Sequence, residues 1–249
     1  MKDKIKMIVE KVTKFFGLSL DEIPGVGFKK DMPKRIPARQ TIVACVVIGL
    51  MVWFSDAKGA RPFATDDAGT VEANRYELEV SYEFGRAEGR LGLGFKHGLT
   101  QKMDIGVSFG YTVVSEPKNR LTAAELCLKY ALIPDLFSTS LTNELGTSGY
   151  DINAILTKAF GPIETDANLG YSATGDTTCG SISYALAVVA GFDKFDIGTE
   201  ASGNKDGLQN WLIGGRYKLK EGVNLDIGIS STFKAPRVII GTFGFHYEF

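Results

Sequence analysis

Three observations predict an all-β fold, a transmembrane antiparallel up-and-down β-barrel of about 12 strands preceded by a signal peptide. A basic stretch leads into a short apolar run near the N-terminus; apolar residues then recur with a period of two over most of the chain; and the last strand ends on the aromatic Phe249. Composition agrees, with 29 Gly and 16 Phe beside 9 Tyr, a balance suited to turns and aromatic girdles.

The leader covers residues 1–60 and its apolar core covers 41–54. Lys34, Arg35 and Arg39 precede Thr41 to Phe54, and Ser55-Asp56-Ala57-Lys58-Gly59-Ala60 supplies small residues for cleavage. A spanning helix needs about 20 apolar residues, so the run fits an export signal better than an uncleaved anchor. Cleavage near Ala57 to Ala60 starts the mature chain around Arg61. Residues 1–31 lengthen the basic region beyond the ordinary pattern. Either Met32 is a second candidate start, or Ile5, Ile8, Val9, Val12 and Phe16 mark an amphipathic extension. Ile42-Val43-Ala44-Cys45 superficially resembles a lipoprotein box, but the apolar run continues past Cys45.

Charge divides along the same line. Residues 1–60 hold 11 Lys/Arg against 6 Asp/Glu, whereas residues 61–249 hold 17 against 23. An acidic body offers no cationic footprint for phosphate backbones, so nucleic acid is excluded as a partner. The cysteines are Cys45, Cys127 and Cys179. They form no CxxC, have no His at ligand spacing and indicate neither a metal site nor a disulfide framework. No cofactor is expected.

Strands follow from alternation. Tyr76, Leu78, Val80, Tyr82 and Phe84 alternate with Glu77, Glu79, Ser81, Glu83 and Gly85, which places the two sets on opposite faces. Met103 to Val113, Ile182 to Val188 and Val223 to Ile229 repeat the pattern. Weaker versions run over 90–97, 121–132, 137–145, 150–160, 163–172, 195–202, 208–219 and 237–249. Pro62 precedes the first strand, and Pro117, Pro134, Pro162 and Pro236 fall in connections, as a residue without an N–H donor should.

Turns fix registers. A turn at Lys220-Glu221-Gly222 sets Tyr217 against Leu225 and Arg216 against Asp226, apolar partners on one face and a charge pair on the other. A two-residue turn at Asp193-Lys194 opposes Phe192 to Phe195. With a periplasmic N-terminus, Pro134-Asp135, Gly161-Pro162, Asp193-Lys194 and Lys220-Glu221-Gly222 are the short periplasmic turns. Ser115 to Arg120, Thr174 to Gly180 and Ser202 to Gly207 form the opposite rim. Those loops are short, so a large plug is not expected.

The final strand places Phe243, Phe245, Tyr247 and Phe249 on one face. Of these, Phe245, Tyr247 and Phe249 form the predicted assembly signal, to be read by the barrel-assembly machinery, and the outer face is expected to meet outer-membrane lipids. On the inner face the expected lumen-lining residues are Glu77, Glu79, Glu83, Glu125, Lys129, Glu144, Glu164, Asp166, Glu200, Arg216, Lys218 and Asp226. Glu164 and Asp166 are expected to face water, with Ile163, Thr165, Ala167 and Leu169 against lipid. Acids outnumber bases there, which favours cations in a narrow pore.

Catalytic chemistry is poorly represented. His97 and His246 are the only imidazoles, and no Ser sits in a nucleophile-elbow context. No catalytic, cofactor or metal residue is assigned. Gly92, Gly94, Gly106 and Gly110 read as small lumen positions rather than a phosphate loop, which would need a helix N-terminus.

Arg61-Pro62-Phe63-Ala64-Thr65-Asp66-Asp67-Ala68-Gly69-Thr70-Val71, followed by Tyr76-Glu77-Leu78-Glu79, resembles the opening of the MetA-pathway-of-phenol-degradation group of outer-membrane transporters. Asn168-Leu169-Gly170-Tyr171 and Gly214-Gly215-Arg216-Tyr217 are similar to later strands of that family. The resemblance implies an outer-membrane barrel over 61–249 that moves small aromatic or hydrophobic solutes; it carries no catalytic residue. The function expected is a passive channel. A structural barrel with a filled lumen is the alternative, and a membrane-embedded lipid hydrolase comes third.

Overall fold

A computed structural model of the chain describes residues 63–85, 88–114, 120–173 and 180–249. The leader and the predicted loop segments 115–119 and 174–179, with Cys45 and Cys179, lie outside the described residues. The strands are β1 (Tyr76–Phe84), β2 (Glu88–Thr100), β3 (Met103–Val114), β4 (Arg120–Leu121), β5 (Glu125–Ile133), β6 (Phe137–Glu144) and β7 (Tyr150–Phe160). They continue as β8 (Ile163–Ala173), β9 (Ser181–Gly191), β10 (Phe195–Asn204), β11 (Gly207–Lys220), β12 (Val223–Thr232) and β13 (Ile239–Glu248). Each predicted run overlaps one of them, except that 121–132 is divided between β4 and β5.

Consecutive strands pair antiparallel except β4 and β5, and β13 pairs with β1, so the sheet closes on itself. The two-residue β4 and β5 both hydrogen-bond to β3 and form one interrupted stave. The barrel therefore has twelve staves built from thirteen strand segments. Closure joins the last stave to the first, the arrangement by which strands keep their backbone groups paired in lipid.

Side-chain parity separates the faces. On β9, Leu186 is 53% exposed outside while Ala187 beside it is 0% exposed inside. Ile182, Tyr184, Val188, Ile227 and Ile229 join the outer apolar surface, the pattern of a barrel built for a lipid surround.

The tight turns have local causes. Gly161 and Gly222 hold φ of +62° and +76° at the β7–β8 and β11–β12 turns, a region that L side chains rarely adopt. As the turn chemistry predicts, Arg216 opposes Asp226 and Tyr217 opposes Leu225. Phe192 and Phe195 stack at 4.6 Å between ring centroids across the Asp193-Lys194 turn.

Candidate functional site

The barrel interior is crossed by the chain's own N-terminal segment. Phe63 to Glu72 precedes β1 and forms no strand; its polar groups are instead satisfied by inward side chains of the wall. The Thr65 amide and hydroxyl donate to Glu200 Oε2 on β10 at 2.7 and 2.8 Å. The Asp66 amide donates to Asn168 on β8, and the Ala68 amide donates to Thr157 Oγ1 on β7, both at 2.8 Å. Ser138 on β6 donates to the Ala68 carbonyl. The Val71 amide donates to Asp104 Oδ2 on β3 at 2.9 Å. Lys129 on β5 grips the middle, its ammonium 3.0 Å from Asp66 Oδ1 and 2.6 Å from the Asp67 carbonyl.

Two glycines accommodate the segment's ends. A Cβ on Gly98 would stand 2.0 Å from the Glu72 carbonyl, and one on Gly198 would stand 2.9 Å from the Phe63 ring. The segment thus follows the wall from mid-strand on β10 and β8 down to the short-turn end of β6 and β3. The expectation of no large plug, drawn from loop lengths, missed an occluding element that is not a loop.

Beside the segment remains a cavity of about 1630 Å³. Nine of the twelve residues predicted to line the lumen border it: Glu77, Glu79, Glu83, Glu125, Lys129, Glu200, Arg216, Lys218 and Asp226. Glu144, Glu164 and Asp166 are not among its lining residues. Glu144 is exposed at the end of β6, opposite Glu125 on β5. Glu164 is half-buried. Asp166 points inward but is 0% exposed, accepting from Thr157 Oγ1 at 2.7 Å. The expectation that Asp166 faces water is therefore corrected: the segment seated on Thr157 seals it from the cavity. Asp66, Asp67, Arg90 and Asp104 also border the cavity and were not among the lumen residues expected from the sequence. Asp104 had the right parity; Asp66 and Asp67 lie where no period gives direction.

Four of the inward bases, Lys96, Lys129, Arg216 and Lys218, are paired. Arg216 Nε lies 2.8 Å from Asp226 Oδ1 and its Nη2 3.1 Å from Oδ2, a buried two-pronged bridge. Lys218 Nζ stands 2.8 Å from Asp196 Oδ1. Lys96 Nζ stands 2.6 Å from Glu77 Oε1 and 3.3 Å from Glu79 Oε1. Glu83 and Glu125 add carboxylates to the cavity wall; Glu83 stands opposite Arg90 in the β1–β2 register, and Glu125 accepts from Ser108 Oγ at 3.2 Å.

The imidazoles occupy different settings. His97 stacks on Tyr76 at 4.4 Å and its Nδ1 lies 3.1 Å from the Arg75 carbonyl. His246 is buried on the inner face. The aromatics of the expected assembly signal lie at the closing seam. Phe245 and Tyr247 are 6% and 7% exposed, flanked in register by Val80 and Leu225 and by Leu78 and Val223. Phe249 is exposed and stacks on Tyr247 at 4.8 Å.

No protein-family model matches the chain, and no curated protein sequence does. Among solved structures it is similar to the KdgM porin, with a TM-score of 0.54 and 12% identity over 70% of this chain and 99% of that one. It is also similar to the COG4313 outer membrane channel from Pseudomonas putida F1, with a TM-score of 0.52 and 12% identity over 75% of this chain and all of that one. At this identity the likeness speaks to architecture, and the chain has the closed twelve-stave barrel fold of outer-membrane channel proteins.

Proposed function

We propose that this protein is a passive outer-membrane channel for small solutes, with a mild preference for cations. The carrying observation is the charged cavity of about 1630 Å³ that persists beside the N-terminal segment inside a barrel with an apolar exterior. Glu83 and Glu125 bias that cavity toward positive charge, because carboxylates along a narrow path lower the energy of a passing cation. The resemblance of Arg61 to Val71 to the phenol-degradation transporter group supports small aromatic or hydrophobic solutes as cargo; most of that stretch is the segment anchored in the lumen. Planar-bilayer recording tests the proposal: unitary currents with a cation-selective reversal potential are expected, and anion selectivity would overturn the acidic-path reading.

A specific observation also favours the second reading, a structural barrel with a filled lumen. The segment spends its backbone donors on the wall, as a permanent filler would. Absence of conductance in the intact protein, together with absence of solute-driven liposome swelling, selects it. Outer-membrane lipids and the barrel-assembly machinery are the partners this reading and the channel reading share. A lipid hydrolase would require phospholipid or ester cleavage by the purified barrel.

A further inference from the structure

The first and last staves bring three metal-competent side chains to one point on the inner wall. Register pairs Glu79 on β1 with His246 on β13, and Glu77 lies on the same face two residues earlier. One ligand atom from each of the three lies within 4.8 Å of the others. His246 is 1% exposed, and neither of its ring nitrogens has a hydrogen-bond partner. Its Nδ1 faces Glu79 Oε1 at 3.7 Å, beyond hydrogen-bonding reach. A buried imidazole ordinarily has its nitrogens satisfied, and one aimed at two carboxylates is arranged as a ligand would be.

We propose that Glu77, Glu79 and His246 form a zinc site that ties β1 to β13 across the closing seam. The donor set selects the metal: one imidazole and two carboxylates suit a borderline cation, whereas calcium and magnesium prefer oxygen ligands alone. Both glutamates border the cavity, which leaves water access for a fourth position. Tetrahedral zinc with bonds of about 2.0–2.2 Å sets its ligand atoms roughly 3.3–3.6 Å apart, so the carboxylates swing inward by about an ångström on binding. Lys96 competes for the same oxygens, since its ammonium contacts Glu77 and Glu79. Replacing it with Met is therefore expected to tighten zinc binding.

The proposal does not depend on conduction. The purified barrel, stripped with chelator, is titrated with zinc ion by calorimetry. One zinc per barrel is expected, with affinity falling at least tenfold in His246→Ala and in Glu79→Gln, and unchanged in Asp206→Asn at an exposed turn. Saturable binding that survives His246→Ala overturns the site, as does the absence of saturable binding. Should either variant fail to fold, anomalous diffraction from zinc-soaked crystals of the unmodified protein decides. A peak among the three side chains supports the site; a peak elsewhere, or none, overturns it.

Discussion

Tyr76 and Phe249 exchange both backbone hydrogen bonds, each amide donating to the other's carbonyl at 2.8 Å, so the terminal residue completes the ladder that closes the barrel. Their rings also approach to 5.6 Å between centroids. Backbone and ring contributions separate by substitution. Deleting Phe249 removes both and should lower the heat-modifiable, folded fraction in outer membranes. Phe249→Ala keeps the ladder bonds and loses the stack. A folded yield as low in Phe249→Ala as in the deletion assigns the signal to the ring; normal yields in both remove the reason to call the strand an assembly signal.

The β11–β12 register gives a crosslinking test. In a Cys127→Ser, Cys179→Ser background, Arg216→Cys with Asp226→Cys should join readily through a short reagent, because the two Cα positions are direct partners. Arg216→Cys with Ile227→Cys should not, since adjacent residues point to opposite faces. Replacing Arg216 alone by Met should destabilise the barrel by about 3–5 kcal/mol, the usual cost of leaving a buried carboxylate without its partner. A shift in the denaturation midpoint measures it.

Removing residues 65–71 should raise unitary conductance several-fold while the barrel still folds, because the ladder begins at Tyr76 and needs none of the segment. Lys129→Met should do the same in part, by releasing Asp66 and the Asp67 carbonyl. Unchanged conductance in the deletion would place the ion path wholly on the β11–β2 side.

Selectivity should follow the carboxylates that border the cavity. Glu83→Gln with Glu125→Gln should move the reversal potential in a salt gradient toward zero, and the unmodified preference should fade as salt shortens the screening length. Asp166→Asn should leave selectivity nearly unaltered. It should instead cost about 1–3 kcal/mol of stability through its bond with Thr157. A selectivity loss from Asp166→Asn equal to that of the double variant would return Asp166 to the water path.

The contrast between Glu83 and Asp166 shows where sequence reading stops. Both have inward parity, and a period of two cannot go further than parity. Whether an inward side chain meets water depends on what else occupies the lumen, and the occupant here is Phe63 to Glu72, a segment with no period at all. Its fit rests on the clearance at Gly98 and Gly198 and on donors matched to Glu200, Thr157 and Asp104, relations that exist only once distant strands are side by side. The staves themselves were legible because alternation, proline placement and turn chemistry each carry their own physical cause. His246 was legible in parity; its meeting with Glu77 and Glu79 required knowing that the last strand returns to the first.

Thr65 is fastened to β10 and Val71 to β3, six staves apart in the ring of twelve, which is half the circumference. Six peptide steps can stretch to roughly 20–22 Å and no further. The segment is therefore a clamp as well as an obstruction: it follows that arc of wall, held on the way by Asn168, Thr157, Ser138 and Lys129, and the staves it joins can spread only until it is taut. A barrel free of such a tie breathes between circular and elliptical outlines. This one carries a limit, set by six peptide steps of its own chain, on how far Glu200 and Asp104 can move apart.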